Sequence, residues 1–379
     1  MKIAFVSLMF DAPWGGSEVL WAAIASQALA QGHEVLLSVY AWPEMPEPVQ
    51  LLKNAGAHIY QRIRFYTSIS SRANTWLKRM GRGGQLPEIQ ALIDFEPDVV
   101  YINQAGYKEV LAHRHLHTWL SQVPFVLACH NYEDPVRQQD FPGAQLKLLY
   151  QQAREVWMIS ARQLRVLERQ LATTIPNARV VQNPLNLPAV YPVPLDEAPN
   201  DSVRLAVIGS FDVDRKGQDV LLAALTAPEW ASRRVHVNFY GKGPDRVYLE
   251  QLIQFYGLES IVQLRGHVAD AAVIWQQTDL LVVPSRIESG PMVVQEALVC
   301  GRPVVAANVG LVSDWIVEGK NGFIADTSSP ESLNNALTRA WKQRANWPAM
   351  GQLATKWAQQ RLPLLTENEL LQRLLTSAT

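Results

Sequence analysis

Cysteine is nearly absent. Cys129 and Cys300 are the only two among 379 residues, and both sit in apolar runs, VLACH and ALVCG. That excludes a disulfide framework and a Cys-rich zinc site, and it points to a reducing compartment. Charge is scarce too, at 18% against the roughly 25% of an average soluble chain, which excludes a disordered, highly solvated protein. Neither sign dominates: Lys plus Arg number 34 and Asp plus Glu 35. No global basic field therefore exists to bind nucleic acid through its phosphates. Apolar runs stop short of the ~18 residues that a membrane-spanning helix needs. The opening MKIAFVSLMF imitates a leader, but Asp11, Pro13 and Trp14 stand where a small-residue cleavage site belongs. It reads instead as a buried first strand. No P-loop and no nicotinamide fingerprint occurs.

Apolar residues make up 48% of the chain, enough for two cores, and the length suggests two domains at roughly 150 residues each. Short apolar runs alternate with helical stretches. The strand candidates of the first half are 3–8, 34–40, 58–63, 98–103, 124–129, 155–160 and 179–183. After a Pro-rich stretch the pattern restarts at 203–209, 235–241, 261–266, 279–285, 303–308 and 322–325. Continuous apolar strands separated by helices predict a parallel sheet covered on both faces. The expected architecture is α/β, with two doubly wound Rossmann-like domains facing across a cleft. Residues 1–186 form the first domain, 187–202 a linker broken by prolines, and 203–363 the second. A last helix at about 364–379 is expected to pack back on the first domain, with Thr366 and Glu369 as its capping box.

Ligands of such sheets bind at the carboxyl ends of the strands, so the loops there are the ones to read. In DAPWGGSE, Gly15 and Gly16 permit close backbone approach and Ser17 can cap the next helix, which suits an anion; a plain capped turn explains it equally. In GSFDVDRKGQD, Arg215 and Lys216 are adjacent cations before Gly217, either a diphosphate clamp or a solvated pair. Asp212 and Asp214 match the unspecific Asp-x-Asp of metal-dependent sugar transferases, although the neighbouring cations already supply positive charge. The stretch VPSRIESGPMVVQEALVCGRPVVA carries most information. Pro291 suits the first helical position, with Gly290 as cap, leaving the N–H groups of Met292 and Val293 for a ligand. Glu288 and Glu296 would stand about 12 Å apart along a helix, too far to flank one bond but suited to the two ends of an elongated ligand. His130 ends a strand, where it can donate to a sugar hydroxyl. His113, His115 and His117 fall in a helical stretch, where i and i+2 diverge, and read as structural. Residues 57–86 hold Arg62, Arg64, Arg72, Lys78, Arg79 and Arg82, with Phe65, Tyr66 and Trp76 and no acid; this is either a solvated loop or a patch for an anionic membrane surface or acceptor.

Gly15-Gly16-Ser17-Glu18, Arg215-Lys216-Gly217 and the Glu288/Glu296 pair together resemble retaining glycosyltransferase family four, of the GT-B fold. The likeness extends to Leu264-Arg265-Gly266, Gly301-Arg302-Pro303-Val304-Val305 and Asn321-Gly322. The resemblance implies transfer of a sugar from a nucleotide-diphosphate sugar to a hydroxyl acceptor, carbohydrate or glycolipid, in cell-surface polysaccharide, lipopolysaccharide or glycolipid synthesis. The place implied is the cytoplasm; of the two readings of 57–86, the membrane patch would add peripheral contact at the inner membrane face. Glu296 matches the glutamate on the nucleotide ribose and Glu288 the one near the donor sugar. Lys216, helped by Arg215, matches the diphosphate clamp. His130 matches the histidine near the sugar's hydroxymethyl group, and His267 and Val268 lie where the base is met. Gly16 is where the first loop approaches phosphate and acceptor. Ser210 stands where the family often has arginine. Catalysis is then expected of His130, Lys216 and Glu288, without metal or cofactor. A sugar-nucleotide hydrolase or epimerase, or a weakened nucleotide-sugar-binding protein, is the alternative on the same scaffold.

Overall fold

The computed structural model describes residues 1–10, 12–63, 89–130, 142–185, 187, 191–196, 202–268, 270–361 and 365–378. Contacts divide the chain into unit 1, Met1–Pro184 with Leu364–Thr379, and unit 2, Leu185–Pro363.

Unit 1 holds seven strands: β1 (Lys2–Ser7), β2 (Glu34–Tyr40), β3 (His58–Arg62), β4 (Val99–Gln104), β5 (Phe125–Cys129), β6 (Glu155–Met158) and β7 (Ala178–Val180). They pair in parallel in the order β3-β2-β1-β4-β5-β6-β7. The near-continuous apolar strands have the expected cause. Alternate residues face opposite sides of a sheet, and here both sides are covered. Ile3 and Phe5 pack with Leu20, Trp21 and Ile24 of helix Gly16–Ala30. Ala4 and Val6 pack with Leu116, Leu146 and Leu149 on the other face. The last helix, Glu367–Thr376, opens with the Thr366/Glu369 capping box. Its Leu370, Leu371 and Leu374 join the cluster around Trp21.

Unit 2 repeats the plan with β8 (Val203–Ile208), β9 (Val235–Tyr240), β10 (Val262–Gly266), β11 (Leu280–Val283), β12 (Val304–Ala307) and β13 (Gly322–Ala325), ordered β10-β9-β8-β11-β12-β13. In both sheets the order reverses beside the first strand, between β1 and β4 and between β8 and β11. Such a switch point opens a crevice at the carboxyl ends of the two strands.

The proline-broken stretch does not hang free. Val193 is buried in unit 2, and its carbonyl accepts from the Arg302 guanidinium at 2.7 Å, as does Trp275 O at 2.7 Å. Prolines keep this segment out of regular structure, so its carbonyls lack ladder partners and a buried arginine supplies the donors. Burial pulls the Arg302 guanidinium down to about 10.

Candidate functional site

The switch point of unit 2 gathers the clearest cluster. Lys216 closes the short helix Val213–Lys216, which follows β8. Its Nζ lies 2.6 Å from Glu288 Oε1, and Ser285 Oγ donates to the same oxygen at 2.9 Å. Lysine and glutamate are respectively 26% and 12% exposed, so both charges are largely, not wholly, removed from water. The lysine stem runs beside Gly209 at the end of β8, where a Cβ would stand 3.6 Å from its Cε.

Backbone and ionic bonds fix this juxtaposition. Arg286 N and Ile287 N donate to Arg215 O at 2.9 and 3.1 Å. Arg286 also grips Asp219 through two bonds of 2.6 and 2.7 Å and reaches Val213 O at 2.6 Å. The loop after β11 is thereby stapled to the helices after β8. Two glycines allow the approach. Gly217 has φ +62° and faces Pro284 O. Gly310, with φ +55°, touches the other side of the loop, and a Cβ there would stand 2.6 Å from Ser289 O and nearer still to Glu288 O.

Several expectations need correction. Helix Met292–Val299 is capped by Pro291, not Gly290, because Pro291 has extended backbone (ψ 104°) and so stays outside the helix. Glu288 lies in the loop before the helix, as the sequence indicates, so a spacing measured along a helix does not describe its distance to Glu296. Glu296 is buried, in the second turn of that helix. Met292 and Val293 open its first turn. Asp212 is a helix cap, its Oδ1 accepting from Arg215 N at 3.2 Å. No group of three His, Cys, Asp or Glu that could hold a metal occurs among the described residues. Arg215 and Ser210 are exposed beside Lys216. His267 and Val268 follow β10, two strands from β8, or about 10 Å at the usual strand spacing.

Unit 1 differs more from expectation. Ser17 does not cap helix Gly16–Ala30; Gly15 holds the cap position with no side-chain bond. The cap sits two residues before that expectation, so Ser17 lies inside the helix, and its buried Oγ has no partner among the described residues. Gly16 O accepts from Asn183 Nδ2 at 3.3 Å. Arg62 belongs to no surface patch. It is buried, donates to Ser7 O and Ser38 O, and lies over the Tyr40 ring at 4.4 Å. Arg64, Phe65, Tyr66, Arg72, Trp76, Lys78, Arg79 and Arg82 lie outside the described residues. His113 ends one helix and precedes another, Arg114–Leu120, and its Nε2 lies 3.0 Å from Tyr40 Oη.

His130 directly follows β5. It is buried, and neither ring nitrogen has a hydrogen-bond partner among the described residues. Burial pushes its pKa down to about 4, so the ring is neutral at pH 7 and keeps one donor and one acceptor.

Sequence reading missed two features. The Arg286–Asp219 staple joins residues 67 positions apart, and no local spacing marks such a pair. Glu18 was noted only as part of a motif. It is buried beneath β1, accepts from Ser7 Oγ at 3.0 Å, Trp21 Nε1 at 2.9 Å and Asn103 Nδ2 at 2.7 Å, and burial raises its pKa to about 7.

Comparison with known proteins gives a consistent picture. Residues 202–343 match the family model described as Glycosyl transferases group 1. An uncharacterized glycosyltransferase of Methanocaldococcus jannaschii is 30% identical over 133 residues, 34% of this chain and 36% of that protein. The match thus spans about a third of that relative's length. The lipopolysaccharide glucosyltransferase WaaG of Escherichia coli is 24% identical over 341 residues, covering 87% of each chain. Among solved structures, HepE of Anabaena in complex with UDP-glucose superposes with a TM-score of 0.72 at 20% identity, covering 100% of both chains. The likeness identifies the architecture, two doubly wound α/β units, as the GT-B fold. No helix among the described residues is long and apolar enough to cross a membrane.

Proposed function

We propose that this chain, whose residues 202–343 form a glycosyl transferases group 1 domain, transfers a sugar from a nucleotide-diphosphate sugar to a hydroxyl acceptor with retention at the anomeric carbon. The observation that carries the reading is the Lys216–Glu288 pair at the switch point of unit 2. A cation that is largely desolvated and already oriented interacts strongly with a diphosphate, and costs no reorganisation when charge develops on it. Lys216 exchanges Glu288 for the diphosphate, helped by Arg215. Glu288, released but still held by Ser285, turns its carboxylate to the sugar hydroxyls, and Glu296 holds the ribose. His267 and Val268 meet the base. The resemblance assigns the neutral His130 ring to the sugar, and Gly15 and Gly16 to phosphate and acceptor.

No group in this scheme acts as a covalent nucleophile. The bond from the anomeric carbon to the diphosphate oxygen breaks on the face where the acceptor oxygen bonds, and the departing phosphate takes the acceptor's proton. Fixed cations replace a metal. The names of the compared proteins support the setting: WaaG is a lipopolysaccharide glucosyltransferase, and the HepE structure holds UDP-glucose. The reading extends to a cytoplasmic enzyme of cell-surface polysaccharide, lipopolysaccharide or glycolipid synthesis.

A thermal-shift panel of UDP, GDP, ADP and TDP is expected to single out one base, since only a ligand of the folded state raises the melting point. With that donor, acceptor saccharide should accelerate diphosphate release, EDTA should leave the rate intact, and the product should keep the donor's anomeric configuration. Release indifferent to every acceptor would make the protein a hydrolase. Loss of rate in EDTA, restored by Mg or Mn, would move the clamp to Asp212 and Asp214.

A further inference from the structure

The switch point of unit 1 holds a buried acid for which the proposed reaction has no use. Glu18 lies under the carboxyl ends of β1 and β4, and three donors converge on it, from Ser7, Trp21 and Asn103. A carboxylate so placed is bound to both strands that border the crevice. Its connections continue outward. Ser7 Oγ, which donates to Glu18, accepts from Met9 N at 3.2 Å. Leu8 N donates to Asn103 O at 2.8 Å. The Met9 side chain lies next to Gly15, where a Cβ would stand 3.7 Å from its methyl group. The Glu18 backbone closes the circuit, its N–H donating to Gly15 O at 3.0 Å.

We propose that Glu18 is a positioning residue which, through Ser7 and Met9, sets the backbone of Gly15 and Gly16 for the reaction proposed above, on which its functional consequence rests. All three donors require a ligand with lone pairs on both oxygens. A proton on either oxygen takes up one acceptor direction and turns it into a donor facing donors, so protonation weakens the bonds from Trp21 or from Ser7 and Asn103. The charged and titratable groups facing Glu18 are Arg62 from β3, which favours its ionised form, and Tyr101 from β4, whose hydroxyl burial and Glu18 together hold well above its usual range. Burial opposes ionisation more strongly than these donors and Arg62 favour it. The carboxyl therefore changes charge near neutrality. Its three donors favour the ionised form, so a loop that drops them while the acid stays buried gains as it protonates, and the loop loosens as pH falls through about 7.

Glu18→Gln keeps the shape but turns one acceptor oxygen into an amide donor. Ser7→Ala leaves the acid in place and removes one hydroxyl, and with it both the bond to Glu18 and the link to Met9. The test is amide-exchange protection of Met9, read against pH in the full chain. Wild type should lose about tenfold protection between pH 8 and 6. Glu18→Gln and Ser7→Ala should show the low value throughout. With UDP-glucose as probe, both variants should release UDP at least tenfold more slowly with KM unchanged, and the wild-type limb near pH 7 should vanish in Glu18→Gln. Met9 protection that ignores pH in wild type and survives Glu18→Gln would overturn the proposal. If no chain releases UDP, the glycosyltransferase reading fails, and the exchange data still decide what Glu18 does.

Discussion

Lys216→Ala should lower UDP release from UDP-glucose by ~10²–10³, the usual cost of removing one donor aimed at developing charge. Its fold should survive. The side chain is a quarter exposed and belongs to no hydrophobic cluster, so little packing is lost. What remains is Glu288 without its cation, yet still bonded to Ser285 Oγ and in reach of water. Glu288→Gln separates the two members of the pair. It frees Lys216 from a competing anion, so UDP should bind as tightly as to wild type or more tightly, while turnover falls because the sugar loses its carboxylate. Steady-state rates with UDP binding measured alongside distinguish these outcomes. Lys216→Ala with full turnover would remove the clamp from the mechanism.

Gly310→Ala should be strongly damaging for a single methyl group near the site. Two costs add. A residue with a Cβ at φ +55° pays about 1–2 kcal/mol for left-handed backbone. The methyl group also meets the carbonyls of Glu288 and Ser289, so the loop carrying Glu288 must shift. Gly319 provides the control, with φ +71° and nothing within 4 Å of its Cβ. Gly319→Ala should pay the backbone cost alone and keep its activity. Gly310→Ala should lose more stability in urea and at least tenfold in turnover. Equal losses in the two variants would mean that the close approach at Gly310 does not hold the site.

These two experiments bear on different kinds of information in the sequence. Strand positions were legible because burial on both faces leaves continuous apolar runs; EVLLSVY and GFIA became β2 and β13 residue for residue. Lys216 and Glu288 were legible as charged residues in loops following strands, since a doubly wound sheet brings such loops to one edge. Their pairing was not, because it depends on the neighbouring order of β8 and β11, which no local pattern encodes. Helix caps were misplaced by two residues at Ser17 and by one at Gly290, where Gly15 and Pro291 took the cap with backbone geometry alone. Arg62 misled for a further reason. Counted by charge it belonged with its basic neighbours, but as the last residue of β3 it turns inward, where the carbonyls of Ser7 and Ser38 accept its hydrogens.

In the proposed mechanism Lys216 meets the diphosphate. Calorimetric titration of wild type and Lys216→Ala with UDP and with uridine tests it most directly. A hydrogen bond to a charged group contributes about 1.5–3 kcal/mol, so UDP should bind roughly ten- to a hundredfold more weakly to the variant, while uridine binds both proteins alike. Unchanged UDP affinity, or equal weakening of UDP and uridine, would contradict the claim.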